Sequence, residues 1–509
     1  MKKIVSIILV MSLMYLLVST VAFAVDQEET VIFSRAEEVN ILHPFNGALG
    51  TEIMKLLMYD RLIEYNYVDD KYYPGLAESW EVSEDELSIT FHLREGIKFH
   101  NGQPFTSEDV KVTLEILRDN PTLRRASALG PNQIEEVEIL DDYTCVLHMK
   151  EVYAPLWETI GNFIHIVPSE AYKEFGIELF EHPIGTGPYK FVELQPDISM
   201  TVEANRDYWN EQYFPRVDKI IYKPIMEPAT QLAALLIGEL DILDMVHPDQ
   251  APILEKNTEV IVERDIVTDG FYYQFNVRNP VLNDVRVRTA IDLATDREGV
   301  VEFMNGGAPL WTWSKPGTVG YTPDVRSDYD PDKAREILAE TGYSAEELTF
   351  ILKIPEGWFA KLTEVAVLLQ GMMAEVGITF DVVVMEGAVF REHRAQADYD
   401  IFITGCASGD IGRNAYRRIV TDDDKSGYVN EELNELLTAA VHSLDLDKRQ
   451  KLYEQAWEIM MEEKAPHLFF YQMEQIYAYR DRITGFRFAP TKIINLRTID
   501  TIDNPGPVQ

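Results

Sequence analysis

The chain has 509 residues, 46% of them hydrophobic, and a formal charge of -39 from 85 acidic and 46 basic side chains. Such apolar content excludes a disordered chain, and the length exceeds one core and suits two or three domains. So acidic a surface disfavours nucleic acid and anionic lipid as partners.

The first 24 residues read as an export signal. Lys2 and Lys3 form a basic start, Ile4 to Val21 is an apolar run, and Ala22-Phe23-Ala24 fits a small-residue cleavage site. No cysteine stands near that site, so a lipid anchor is not expected, and no later apolar run is long enough to span a bilayer. The expected product is periplasmic, a compartment that permits disulfides.

A short strand, Val31-Ile32-Phe33, leads to a loop marked by Pro44 and Gly47. From Leu76 to Leu117 the chain reads LAESWEVSEDELSITFHLREGIKFHNGQPFTSEDVKVTLEIL. Ile89, Phe91 and Leu93 alternate as on a strand, and Asn101-Gly102 is a turn. Thr106 caps a helix with an acidic residue at the third position, and Val110, Leu114 and Leu117 form its inner stripe. This block resembles the signature of the family 5 extracytoplasmic solute-binding proteins, the peptide/nickel type. Ile184-Gly185-Thr186-Gly187-Pro188-Tyr189, Asn205 to Trp209 and Glu239 to Asp244 resemble further elements of that family, in the same order. So does FYYQFNVRNPVLNDVRVRTAIDLATDRE, Phe271 to Glu298, where aromatic strand, Asn279-Pro280 break and helix follow one another. Trp80, His100 and Trp209 are assigned to packing.

The resemblance implies an α/β, two-lobed periplasmic-binding-protein (Venus-flytrap) fold with an extra subdomain in the first lobe. The expected boundaries are 1–24 for the signal peptide, 25–270 for the first lobe with an insertion at about 51–183, 271–484 for the second lobe, and 485–509 for the return. It implies ligand-facing positions at Asn46 in the early loop, Asp244 and His247 after the Glu239–Asp244 segment, and Tyr272 and Gln274 on the aromatic strand. With the two cysteines, Cys145 and Cys406, far apart and expected on different lobes, two buried free thiols are expected.

In the second lobe, GGAPLWTWSKPG places Trp311 and Trp313 in a Gly/Pro-rich loop, where they suit stacking on a ligand or packing. Asp330-Pro331 starts a helix that Gly342 ends; Leu362, Val365, Leu369, Met373 and Val376 mark another, stopped by Gly377. Ile378, Phe380, Val382 and Val384 alternate as a strand, and Asp400 to Ile403 is the next. That strand runs into Gly405-Cys406-Ala407-Ser408-Gly409-Asp410, small residues at a strand's C-terminal end, where open α/β sheets bind ligand. Relatives carry Trp and then Asp here; this chain has Cys406, with Ser408 or Asp410 near the expected acid. Arg413, Arg417 and Arg418 offer a cation for a carboxylate. Helix Asp445 to Glu463 follows, then the returning strand, with Tyr471 as its cleft-side aromatic.

The implied function is capture of a small solute by hinge closure and delivery to the membrane permease of an ATP-driven importer, by a monomer without cofactor. A di- or oligopeptide needs an acid and a cation, which Asp410 and Arg413 supply. An oligosaccharide, the alternative, needs Trp311, Trp313, Trp358 and Gln274. An exported hydrolase is the alternative of another class, but G-x-S-x-G, H-E-x-x-H and phosphate-loop patterns are absent and the ten histidines show no zinc-ligand spacing. No catalytic or metal-binding residue is assigned.

Overall fold

A computed structural model describes residues 29–38, 42–46, 49–66, 71–316, 318–406, 411–422, 425–485 and 494–502. The expected signal peptide, Ser408 and Asp410 lie outside these residues. Among the described residues, no helix is long and apolar enough to cross a membrane.

One ten-stranded sheet runs through the molecule, and two long strands at its centre, Val260–Phe275 and His467–Arg480, organise it. Their antiparallel ladder has two parts. Val260 to Ile266 pairs with Arg480 to Glu474, and Gly270 to Gln274 pairs with Gln472 to His467. Between them the register breaks, leaving residues 267–269 opposite Met473. On one side of the break the sheet continues through Ile242–Leu243, Thr30–Arg35, Lys219–Pro224, Ser199–Ala204 and Tyr189–Gln195. On the other it continues through Ile401–Cys406, Thr349–Pro355 and Thr379–Met385. Each side has its own core, one built around Phe33, Phe45 and Tyr222 and one around Phe271, Tyr273 and Trp457. This is the two-lobed architecture, with both crossings made by strands.

On the outgoing strand the register break lies between Ile266 and Gly270. On the returning strand, Glu474 to Arg480 pairs with Val260 to Ile266, and Ala478 and Tyr479 pair with Ile242–Leu243. Ile494, Leu496 and Ile499 then join the first core. Within the first lobe, Ala77–Val82, Ser88–Leu93, Thr144–Met149 and Ile134–Asp141 form a separate four-stranded antiparallel sheet. Ile89, Phe91 and Leu93 face inward as their alternation requires. Cys145, in the same sheet, is a buried free thiol, pushed up to about 12 by burial.

Local rules set the helix ends. Asp109 accepts from the Thr106 backbone N–H at 2.7 Å, closing the capping box at the start of Ser107–Asp119. Asp330 caps Pro331–Thr341, with Gly342 left-handed at its end. Thr379–Met385 is an edge strand, so its alternation fades and Val384 stands 43% exposed rather than inward.

The signature blocks meet in space. The His100 ring bonds to the carbonyl of Gly187 at 2.9 Å and to the N–H of Gly185 at 3.4 Å. A Cβ at Gly185 would stand 2.1 Å from the Met58 carbonyl, so only glycine allows that approach. Thr186, Tyr208 and Trp209 all donate to the buried carboxylate of Asp60, at 3.0, 2.8 and 2.8 Å.

Candidate functional site

The candidate site is the cleft between the lobes, which the two central strands border. Polar contacts among the described residues bridge it, and three of them lie away from the strand crossing. The Ala154 N–H donates to the Val441 carbonyl at 2.8 Å. His442 lies 3.3 Å from Glu151, and Lys361 lies 3.2 Å from Asp249. Residues 151–154 and 249 belong to the first lobe; 361, 441 and 442 belong to the second. The lobes are therefore closed on one another.

On the first-lobe wall, Asn46 accepts from the Arg124 N–H at 2.8 Å, and its own carbonyl accepts from Lys55. That pair of bonds holds the early loop against the short helix Arg124–Ser127. Below it, buried Glu52 pairs with Lys55 at 3.1 Å and with Arg125 at 2.8 Å, and its other oxygen meets His165 at 3.2 Å. Burial opposes its charge, but Lys55 and Arg125 hold its acid well below the usual range.

Asp244 is wholly buried, with one oxygen 2.9 Å from Arg35 and the other accepting from Gln475 at 2.6 Å. Both contacts join strand ends at the crossing. His247 is half-buried beside Asp249, the residue that reaches across to Lys361.

On the second-lobe wall, Tyr272 is sealed by Trp313, His467 and Phe469, with ring centroids 5.0 to 5.7 Å away. Arg418 lays its guanidinium 5.4 Å from the same ring and donates to the hydroxyl. Gln274 has no exposed surface, nor has it a partner for its side-chain oxygen. Tyr272 is thus covered by Trp313 of the 306–316 loop and by Arg418.

The tryptophans divide. Trp313 is 1% exposed and belongs to the core. Trp311 is half-buried, bonds to the Ser327 carbonyl at 3.1 Å and lies under Arg326. Trp358 is half-buried after the Thr349–Pro355 strand, edge-on to Phe390 at 5.4 Å and flanked by Arg391. Tyr471 is buried, with its hydroxyl donating to the Gly306 carbonyl at 3.0 Å. Cys406 ends the Ile401–Cys406 strand opposite Gly270. Arg413 is half-buried in the short helix Ile411–Ala415.

A sequence profile of the bacterial extracellular solute-binding proteins, family 5 (middle region), matches residues 71–428. The chain belongs to that family. This family 5 protein is 27% identical over 448 residues to Di/tripeptide-binding protein 1 of Pseudomonas aeruginosa, covering 80% of this chain and 82% of that one. It is also 27% identical over 453 residues to heme-binding protein A of Haemophilus influenzae, 80% of each chain. Its fold superposes on a dipeptide-binding protein of Pseudoalteromonas, solved with Met-Leu, with a TM-score of 0.80 at 22% identity. That match covers 93% of this chain and all of the other.

The residues that bridge the lobes, Glu151, Asp249, Lys361 and His442, carry no local motif. Each is an ordinary surface charge in sequence, and only the fold brings the pairs together.

Proposed function

We propose that this family 5 protein is the periplasmic capture component of an ATP-driven importer, that its ligand is a short peptide, and that closure presents the loaded protein to a membrane permease. The closed cleft carries this reading: polar contacts such as Glu151–His442 and Asp249–Lys361 join the lobes in addition to the strand crossings. A ligand held by both walls favours the closed state by its differential affinity. The names of the relatives support a peptide, with Asp410 proposed to meet its amine. The aromatic residues support it too, since Trp313 is buried and Trp311 and Trp358 are engaged within their own lobe, leaving a sugar fewer faces to stack on.

A thermal-shift series on the mature protein tests this. Di- and tripeptides are expected to raise the midpoint, by about 2.7 kcal/mol of stabilisation at a hundredfold excess over Kd. Acetylating the peptide amine should abolish the shift. Stabilisation by oligosaccharides with none by peptides would overturn the reading.

A further inference from the structure

Two cations, one from each lobe, meet the C-terminal end of the second-lobe helix Arg297–Met304. Asn305 closes that helix in the left-handed region, at a φ of 62°. The last carbonyls of a helix have no partner within it and carry the negative end of its dipole. Lys361, of the second lobe, donates to the Phe303 carbonyl at 2.8 Å and stands 4.5 Å from the centre of the Phe303 ring. Arg264, on the first-lobe part of the central ladder, donates to the Asn305 carbonyl at 3.4 Å.

Each cation is anchored in its own lobe and reaches into the other. Arg264 turns Nε and Nη2 to Glu255, at 3.1 and 2.9 Å, and Nη1 to Glu474 at 2.7 Å. Glu255 ends the short first-lobe helix Ala251–Leu254, and Asp249, two residues before that helix, accepts from Lys361 at 3.2 Å. The Lys361 side chain is only 10% exposed. Its backbone is left-handed, with φ 59° and ψ 13°, at the start of the helix Leu362–Val376. A residue with a Cβ is strained there, and a helix start favours Ser, Thr, Asp or Asn in extended backbone. The strained position delivers the ammonium to the Phe303 carbonyl, within reach of Asp249.

Opening breaks Lys361–Asp249 and Arg264–Asn305 and leaves the anchors within each lobe in place. An ordinary surface ion pair gains little, because forming it must order two long side chains. Here both cations are ordered before the lobes meet.

We propose that Lys361 and Arg264 form a two-point latch on the end of the Arg297–Met304 helix, favouring the closed form before any ligand is held. The latch rests on the hinge closure proposed above and not on the identity of the ligand.

Hydrogen exchange of the Ala154 amide in the ligand-free protein tests it, since that N–H donates across the cleft to the Val441 carbonyl at 2.8 Å and is protected only while the lobes are closed. Asp249→Asn, Lys361→Gln and Arg264→Gln should each speed its exchange by about twofold to fivefold. Amides of the second-lobe strand Thr349–Pro355 should keep their rates. The double variant Asp249→Asn/Lys361→Gln should exchange no faster than either single one, because both remove the same bond. Salt at about 0.5 M should bring the wild type close to Asp249→Asn. An unchanged Ala154 rate in Asp249→Asn or in Arg264→Gln would overturn the two-point latch, and so would an unprotected Ala154 amide in the wild type. The ligand-free measurement fails separately from the peptide reading, which the thermal-shift series decides.

Discussion

Arg35 and Asp244 form a buried ion pair, 2.9 Å apart, between neighbouring strand ends beside the lobe crossing. Gln475, just past the break in the central ladder, donates to the second carboxylate oxygen. Asp244→Ala removes the buried carboxylate 2.9 Å from the buried Arg35 charge. A loss of about 3–5 kcal/mol is expected on chemical unfolding, because an uncompensated buried charge costs more than the pair contributes. Asp244→Asn keeps an acceptor and should lose less.

Acidification should weaken the fold in two steps. Burial lowers His43, His100 and His165 to about 4. For His100 the geometry agrees, since one ring nitrogen accepts from Gly185 while the other faces the Gly187 carbonyl. The unfolded chain, with histidines near the ordinary value of about 6.5, binds more protons in this window. Their contribution is therefore full above about pH 6.5 and falls as pH drops toward 4. Below that, Glu64 and Asp292 take over. Burial opposes their charge, but Arg497 and Arg61 hold Glu64, and Arg297 and Lys464 hold Asp292, at about 2. Stability from these two is present above their unfolded values and is lost as pH falls through about 2. Thermal midpoints from pH 8 to 2 should show both steps, and His100→Gln should shrink the first.

Gly307 has a φ of 92°, and a Cβ there would lie 2.5 Å from the Tyr471 hydroxyl and 2.6 Å from the Gln472 carbonyl. Gly307→Ala should cost about 1–3 kcal/mol through backbone strain, seen as a lower thermal midpoint. Tyr471→Phe, which loses only the bond to Gly306, should cost about 1 kcal/mol.

Glu151 and His442 join the lobes near the surface, so their pair should contribute little and depend on salt. Glu151→Gln is expected to weaken ligand binding by no more than about fivefold. The effect should shrink in 0.5 M salt without a change in thermal midpoint for the ligand-free protein.

Trp313 is buried with its indole N–H lacking a partner. Trp313→Phe keeps most of the packing against Tyr272 and Phe469 and removes that orphan donor, so its cost should stay below that of Trp313→Ala, about 3–5 kcal/mol. A thermal midpoint for the Phe variant as low as that of the Ala variant would show that the indole itself is needed.

Much of the scaffold was legible in the chain. Asp330 and Gly342 bound one helix, and Gly377 ends another, where the residue types require. The alternation of Ile89, Phe91 and Leu93 set the inner face of a strand. Less legible were the register break in the central ladder and the contacts between the lobes. Pairing of His467–Arg480 with two different regions of one strand is a long-range choice that no local pattern encodes.

By itself the sequence determined the α/β class, the family and which segments become helix or strand, because those follow from periodicity, caps and turns within a few residues. The tertiary structure decided which side chains face the cleft. It buried Asp244, Gln274 and Trp313 and brought Glu151 to His442 and Asp249 to Lys361. The physical reason is that exposure and charge pairing belong to the packing of distant segments, and one residue type serves equally well as a hinge bond, a core filler or a ligand contact until that packing fixes its neighbours.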